Sequence, residues 1–262
     1  MNKLGVKILR QDQSVASEAY GESVSLVYTK AYEEGDFIRV ECDRDEAYLM
    51  IQLDDAMGEA FVYLKHGSTD FKVPFGEKKK CYSPKSFYGE KHLLSARYAA
   101  AEEIKRYKNL AKNQYDCHES TNCFPHASAN IETRGESTFA AKNAINGNHE
   151  NHSHGSWPYE SWGINKDPDA IMQIEFGRPV KVDQVALYIR ADFPHDNWWT
   201  QATLYFSDGS EYVWDLVKTD QAQQVKFSPK TIEWIKIGKL IKADDPSPFP
   251  ALSQLEVYGT EA

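Results

Sequence analysis

Apolar and polar residues alternate along most of this sequence, which is the pattern of β-strands with one buried face. The clearest run precedes an aromatic loop, and its apolar positions are Val180, Val182, Val185, Leu187 and Ile189. A turn at Gly177-Arg178-Pro179 separates this run from an earlier one, because proline cannot donate to a strand ladder and glycine tolerates tight turns. This part of the chain is predicted to form two β-strands joined by a turn, and the second strand is expected to have one buried face.

The first half of the chain shows the same period of two from Ser23 onward. Its strand-like runs are SVSLVYTK, FIRVE, AYLMIQL, AFVYL and FKVPF, separated by turn clusters at 33–36 and 66–68. Short strands with turns at this spacing are typical of an antiparallel β-sandwich. The second half continues in this way, and Asp208-Gly209 between alternating runs predicts a hairpin. The fold class is therefore predicted to be all-β.

One segment, 95–112, departs from the period of two. Its apolar side chains at helical spacing are Ala100, Ile104, Tyr107 and Ala111. This stripe predicts an amphipathic α-helix, with Ser95 as its N-cap. Because such a helix commonly packs at a domain interface, we place the boundary after it. The expected organisation is two β-sandwich domains, over 1–118 and 119–262, joined by this helix.

Charge and composition narrow the classes of partner. The net charge of −9 disfavours nucleic acid, which requires clustered Lys and Arg. No apolar run approaches the roughly 18 residues that span a bilayer, and the first residues contain no apolar signal region, so no membrane partner and a cytoplasmic location are expected. The four cysteines form no CxxC pair, which favours free thiols over a zinc site or a disulfide framework.

The loop after the strand ending near Arg190 combines aromatic and hydrogen-bonding side chains. A sugar site needs an aromatic surface for the face of the ring and polar groups for its hydroxyls. Counting back along the next strand from Ala202 assigns Trp198 to the core and Trp199 to the exposed surface. The predicted ligand-binding residues are Trp199, Arg190, Asp192, His195, Asp196 and Asn197 from this loop, Trp157 and Tyr159 from another loop, and Phe249 from a late proline-rich segment. The alternative is that both Trp residues only pack.

Several segments together resemble a known family. They are ASANIETRGESTFAAKNAINGN at 127–148, Trp162, IMQIEFGRPVKVDQVALYI, LYFSDGS, TIEWIKI and the closing LEVYG. In this order they resemble the discoidin family, the coagulation-factor type C, galactose-binding-like jelly roll, over residues about 122–260. The resemblance implies an eight-stranded sandwich whose loops at one end bind sugars, phospholipid head groups or proteins, without catalysis. It also implies that Trp162 lies in the core.

The resemblance further implies a possible calcium site. In the family, the loop matching Asn146-Gly147-Asn148 often binds calcium, helped by an acid on the last strand, here Glu256. Asn146 stands where an Asp is common, which removes one formal charge and weakens the expectation. No other cofactor is expected. The histidines at 149, 152, 154 and 195 have ligand-like spacing, but a Gly- and Asn-rich loop gives a metal little rigidity, so a solvated loop is favoured.

The sequence therefore predicts a non-catalytic carbohydrate-binding protein. No HExxH, phosphate-binding glycine loop or Ser-His-Asp order is present. Two alternatives stay open. One is a glycan hydrolase with a site between the domains, using Asp192, His195, Asp196 or Asp244 and Asp245. The other is a protein-interaction scaffold, favoured if the aromatic loop is flat and exposed.

Overall fold

The chain folds into antiparallel β-sheets, as the period of two predicts. The structure is a computed structural model that describes residues 3–150, 155–191 and 197–262. All strand pairs formed by these residues are antiparallel, so the all-β prediction is confirmed. The longest α-helix in the described part has five residues, and none is long and apolar enough to cross a membrane.

Two sheets face each other in the N-terminal half. Their strands are β1 (Leu4–Leu9), β2 (Val15–Gly21), β3 (Ser23–Tyr28), β4 (Phe37–Cys42), β5 (Ala47–Gln52), β6 (Ala60–Leu64), β7 (Ser68–Lys72), β8 (His92–Tyr98) and, from later in the chain, β10 (Cys123–Phe124). The strand orders are β2-β1-β4-β7 and β10-β6-β5-β8-β3. Every second residue points inward, and the two inner faces share one hydrophobic core.

The predicted helix over 95–112 is wrong. The only α-helix in the described residues, α1, covers Ala101–Lys105, and its N-cap is Ala100 rather than Ser95. Ser95 instead lies in β8, opposite Ser25 on one side and Gln52 on the other. Strand β8 alternates between buried and exposed residues, so ladder hydrogen bonds on both sides outweigh the weak helical stripe that follows it.

A larger sheet forms the C-terminal half. Its strands are β9 (Lys108–Asn109), β11 (His126–Ala129), β12 (Trp162–Gly163), β13 (Met172–Arg190), β14 (Trp199–Phe206), β15 (Glu211–Asp215), β16 (Gln223–Lys242) and β17 (Ala251–Glu261). The main order is β12-β17-β13-β16-β14-β15, with β11 on β13 and β9 on β17. Short 3-10 helices cover Gly76–Lys79, Thr133–Gly135, Ser137–Phe139 and Ala141–Ile145.

The core of this half contains large aromatic residues. Trp162 is fully buried, as the resemblance implies, and its Nε1 donates to the carbonyl of Ile131 at 3.0 Å. Register shifts interrupt the long strand β13, which allows the sheet to bend around the core. The hairpin predicted at Asp208-Gly209 is present between β14 and β15.

The segment between the halves contributes to both cores. Leu110 and Ala111 pack in the C-terminal core, whereas Tyr115 and Cys123 pack in the N-terminal core. In the same way β9 pairs with β17 and β10 pairs with β6. The predicted boundary at 118/119 thus falls inside an interlaced segment, and the division into two domains stays a prediction.

An ion pair with low exposure joins the two halves. Arg178 donates from Nε and Nη2 to the two carboxylate oxygens of Glu261, both at 2.7 Å, and Lys108 Nζ lies 3.3 Å from the same carboxylate. Tyr48, from the N-terminal half, donates to Glu261 at 3.1 Å, and the guanidinium lies 4.9 Å from the ring centroid of Tyr63. Burial alone would raise the pKa of Glu261, but the hydrogen bonds and charge of Arg178 hold this pKa below its ordinary value.

Replacing Glu261 should weaken the whole fold. Glu261→Ala leaves Arg178 and Lys108 without their carboxylate, so we expect the free energy of unfolding to fall by about 3–5 kcal/mol in denaturant titrations. Because the folded pKa of Glu261 lies below its ordinary value of 4.5, this contribution is present above that pH and is lost as the pH falls through the folded pKa.

The matched control is Asp70→Ala. Asp70 also receives two hydrogen bonds from an arginine, Arg39, but its side chain is 45% exposed. An exposed pair contributes about 0–1 kcal/mol, so this variant should unfold close to the wild type. Equal losses in the two variants would contradict the role given to Glu261.

Candidate functional site

The described ligand-binding candidates of the predicted aromatic loop, Arg190, Asn197 and Trp199, are buried. Arg190 and Asn197, at its two ends, each have no exposed surface. Asp192, His195 and Asp196 lie outside the described residues. The loop's described ends thus form part of the packed structure.

Arg190 packs against another predicted ligand-binding residue. Its guanidinium carbon lies 3.3 Å from the ring centroid of Tyr159, which is itself fully buried. Arg190 Nη1 also donates to the carbonyl of Tyr159 and to Ser161 Oγ, both at 3.4 Å. These contacts and their burial place Arg190 and Tyr159 within the packed structure, and their part in ligand binding stays a prediction.

The assignment of the two tryptophans is reversed. Trp199 is fully buried, with its ring centroid 6.5 Å from that of Trp162, whereas Trp198 is partly exposed and has Lys218 Nζ 5.0 Å from its ring. A register shift lies between Trp199 and Gln201 in the pairing of β14 with β16. This irregularity changes the face on which preceding residues lie, so counting back from Ala202 gave the wrong face. Trp199 is therefore not an exposed surface for a sugar.

The proline-rich segment 243–250 meets the end of the aromatic loop. It contains no helix or strand, as predicted. Asn197 Nδ2 donates to the carbonyl of Asp245 at 3.4 Å and to that of Ser247. The backbone amide of Ala243 donates to the carbonyl of Trp198 at 2.9 Å. These bonds fix the segment that presents Phe249.

Phe249 borders a pocket at this end of the C-terminal sheet, which we call the loop-end pocket. Its volume is about 220 Å³, and Phe249 is 36% exposed. The lining residues are Thr133, Arg134, Phe139, Gly163, Ile164, Asn165, Lys166, Phe249, Pro250 and Ala251. Phe249 is the one predicted ligand-binding residue among them. The others were missed because three separate segments converge here.

The backbone of the loop-end pocket is held in an uncommon conformation. Arg134, Asn165 and Lys166 have φ values of 52°, 50° and 64°, in the left-handed region that non-glycine residues rarely adopt. The amide of Asn165 donates to Thr133 Oγ1 at 2.9 Å, which ties two of the lining segments together. Such conformations persist only where surrounding contacts impose them, and they are common at binding sites.

Each aromatic ring of the loop-end pocket has a cation beside it. Lys166 Nζ lies 4.7 Å from the ring centroid of Phe249, and the guanidinium carbon of Arg134 lies 5.5 Å from that of Phe139. Arg134 is also held by two hydrogen bonds to Glu136. The pocket therefore combines two apolar rings with directed hydrogen-bond donors.

Trp157 lies in a different cavity, the inter-half cleft, which residues of both halves line. Its side chain is 40% exposed, and its backbone amide donates to the carbonyl of Lys80 at 2.8 Å. The structure thus separates the two exposed aromatic residues of the predicted set into two cavities.

The three residues predicted to hold calcium do not converge on one point. Asn146 Nδ2 and Asn148 Nδ2 both donate to Glu160 Oε1, at 2.7 and 3.1 Å. Glu256 instead accepts from His149 Nε2 at 2.8 Å and from Tyr258 OH at 3.0 Å. Among the described residues, no three His, Cys, Asp or Glu side chains are grouped to hold a metal.

A side-chain amide bonds to oxygens of the loop that was predicted to hold calcium. Gln254 Nε2 donates to the carbonyl of Asn143 at 2.7 Å and to Asn146 Oδ1 at 2.8 Å, and Gln254 Oε1 accepts from the amide of Gly147 at 2.8 Å. Two oxygens of the loop are thereby satisfied by N–H groups. These residues do not fit a calcium ion, and calcium binding stays a prediction without support from these contacts.

The carboxylates named for a hydrolase are surface residues where they are described. Asp244 is exposed, and Asp245 Oδ1 accepts from the amide of Ser247 at 2.9 Å. Neither lines the loop-end pocket or the inter-half cleft.

Trp199→Ala should destabilise the protein by about 3–5 kcal/mol, because it removes a fully buried aromatic side chain. Trp198→Ala is the adjacent control and should cost clearly less, since Trp198 is partly exposed. Denaturant unfolding of both variants measures the difference. The opposite order would show that the face assigned to Trp199 is incorrect.

Gln254→Glu should convert the loop at 143–147 into one that responds to calcium. A carboxylate would face Asn143 O and Asn146 Oδ1 without a donor between them, so we expect a loss of about 1–3 kcal/mol in stability, partly restored by added calcium. Thermal unfolding with and without calcium measures this. Gln254→Ala loses the same hydrogen bonds without supplying a carboxylate, and an equal calcium effect in that variant would contradict the argument.

Comparison with known proteins identifies a family for the C-terminal half. The family described as "Domain of unknown function (DUF7402)" matches residues 122–258. No curated protein matches the chain.

Several solved structures are similar to part of the chain. A chitosan-binding module from a chitosanase/glucanase of Paenibacillus sp. IK-5 is 19% identical and has a TM-score of 0.40, with 58% of this chain and 99% of that chain covered. The family 32 carbohydrate-binding module of C. perfringens NanJ, in complex with galactose, is 22% identical with a TM-score of 0.39, covering 50% and 91%. A Streptococcus pneumoniae fucose-binding module is 16% identical with a TM-score of 0.42, covering 58% and 95%. Because the family match covers more than half of the 262 residues, the chain belongs to the family described as "Domain of unknown function (DUF7402)".

Proposed function

We propose that this protein binds carbohydrate without catalysis and that the loop-end pocket holds the ligand. The observation that supports this most is the pairing of two aromatic rings, Phe139 and Phe249, with polar side chains in one concave surface of about 220 Å³. A sugar ring presents C–H groups on its face and hydroxyls at its edge, so it needs both kinds of contact.

The polar groups stand close to the rings. Lys166 and Arg134 lie beside Phe249 and Phe139 and can donate to hydroxyl oxygens at the edge of a stacked sugar. Asn165 carries both an amide donor and a carbonyl acceptor, which suits a hydroxyl group in either role. The imposed backbone conformation of these residues lowers the entropy that binding would cost.

The resemblance of the sequence to the discoidin family supports a ligand site in the loops at one end of the C-terminal sheet. Strand β13 ends at Arg190 opposite the start of β17 at Ala251, so the loops around this register position gather at one end of the sheet. We infer a galactose-binding-like jelly roll in the C-terminal half, joined to a separate N-terminal β-sandwich domain. The acidic net charge of −9 is consistent with a neutral glycan partner rather than a polyanion.

Phe249→Ala should weaken glycan binding by about tenfold, because it removes the stacking surface. A glycan array of the wild-type protein identifies the ligand, and titration calorimetry then gives the dissociation constants of the variants. Melting temperatures should change little, since an exposed side chain contributes little to stability.

Tyr212→Ala is the control for this experiment. Tyr212 and Phe249 are both 36% exposed, but Tyr212 lies in β15, outside the loop-end pocket. Unchanged binding in Tyr212→Ala together with a loss in Phe249→Ala supports the pocket. Full binding by both variants would place the ligand elsewhere, and an array without any bound glycan would overturn the proposed function.

A further inference from the structure

The inter-half cleft has a volume of about 510 Å³ and is built from both halves of the chain. The N-terminal half contributes Met57, Tyr82 and Ser86, and the C-terminal half contributes Asn146, Trp157 and Glu160. None of these six residues lines the loop-end pocket. The cleft therefore forms only when the two halves are docked, whereas residues of the C-terminal half alone line the loop-end pocket.

Specific contacts hold the two walls together. The amide of Trp157 donates to the carbonyl of Lys80 at 2.8 Å, which fixes the loop that carries the indole ring. Lys142 Nζ donates to Tyr82 OH at 2.9 Å and to Cys81 Sγ at 3.4 Å, and it lies 4.3 Å from the ring centroid of Tyr82. The cleft is thus a formed cavity between two tied surfaces.

Three buried oxygens of the cleft lack a hydrogen-bond partner within the described part of the chain. They are Glu160 Oε2, Gln114 Oε1 and Ser86 Oγ. Glu160 and Ser86 are 3% and 0% exposed. Buried polar atoms are nearly always paired with protein or with water, so these three oxygens are acceptors that water or a ligand in the cleft can satisfy.

The neighbouring atoms of these side chains are already paired. Glu160 Oε1 accepts from Asn146 and Asn148, and Gln114 Nε2 donates to the carbonyl of Glu59 at 2.9 Å and to that of Met57 at 3.3 Å. These bonds fix the side chains of Glu160 and Gln114, so their remaining oxygens keep their directions. Because a carboxylate and an amide carbonyl only accept hydrogen bonds, the partner of these two oxygens must donate, whereas the Ser86 hydroxyl can donate or accept.

The charges around the cleft restrict what that partner can be. The partly buried ammonium of Lys142 acts electrostatically on both Glu160 and Asp116, and it would repel a ligand cation. Glu160 and Asp116 would in turn disfavour a ligand anion. A neutral group with several hydroxyls can donate to the three oxygens, and the exposed face of Trp157 offers a stacking surface for its ring.

We propose that the inter-half cleft is a second ligand site, which binds one neutral sugar residue between Trp157 and the oxygens of Glu160, Gln114 and Ser86. This second proposal rests on the proposed function in one respect, namely that the ligand is a carbohydrate. The site gives the N-terminal half a direct part in recognition, because Gln114 and Ser86 come from outside the family match at 122–258.

Nuclear magnetic resonance of the indole N–H groups tests this site by itself. The chain has six Trp residues, and Trp157→Phe identifies the signal of Trp157. The probes are the methyl glycosides of glucose, galactose and mannose, with glucuronate and butylammonium as charged comparisons. We expect at least one neutral glycoside to shift the Trp157 signal in a saturable way, and neither charged probe to do so.

Glu160→Gln is the decisive variant. The amide keeps an oxygen for Asn146 and Asn148 but presents an N–H₂ group in place of the unpaired acceptor Glu160 Oε2, so binding should weaken by about tenfold or more. Its melting temperature at neutral pH should be unchanged or higher, because burial raises the pKa of Glu160 and makes its ionised form costly. Trp234→Ala, which lies in β16 outside the cleft, is the aromatic control and should bind normally.

The outcomes separate this proposal from the loop-end site. A Trp157 shift that persists in Phe249→Ala and is lost in Glu160→Gln supports the cleft, whatever happens at Phe249. A Trp157 signal unmoved by all three glycosides overturns the cleft, even if glycan binding that depends on Phe249 is found. A shift caused by butylammonium or glucuronate instead would overturn the neutral sugar as its ligand.

Discussion

The ion pair between Arg178 and Glu261 is the contact on which the arrangement of this chain depends. It holds β13 and β17 together and, through Tyr48 and Tyr63, attaches the C-terminal sheet to the N-terminal sandwich. A charged pair with so little exposure is costly to desolvate and stabilises only when its geometry is well satisfied, as the two 2.7 Å hydrogen bonds show here. The interlaced segment over 108–129 adds strand pairing on both sides of this joint. The inter-half cleft lies between the halves that these contacts join, and the bonds of Trp157 and Lys142 tie its walls locally.

The sequence predicted the sheets well because alternation reports burial on one face, and burial decides where a strand lies. It failed where two signals competed. Ser95 belongs to a strand with partners on both sides, although the following residues carry a helical stripe. Trp199 was placed on the wrong face because a register shift within β14 is invisible to a count of every second residue. Both errors arise from tertiary contacts that local periodicity does not encode.

The candidate site was predictable only in part. Phe249 follows from a proline-rich segment that must stay extended, and the structure places it beside a pocket. Arg134, Phe139 and Lys166 carry no signal in the sequence that would link them to Phe249, because the pocket is assembled from segments about 30 to 110 residues apart. The same holds for Ser86 and Glu160 in the inter-half cleft. A loop with dense aromatic and polar residues can be recognised in the sequence. A pocket formed by distant segments can be recognised only once the fold is known.

The contact of Gln254 with the loop at 143–147 has a consequence for how this protein would work in changing surroundings. Where a bound ion shapes a loop, that loop is ordered only as far as the ion is available. Here the donor that bridges Asn143 O and Asn146 Oδ1 is covalently part of β17. The hydrogen bonds of Gln254 therefore order this loop wherever β17 itself is ordered. The same loop carries Asn146 into the inter-half cleft, so the shape of that wall is set by the chain itself.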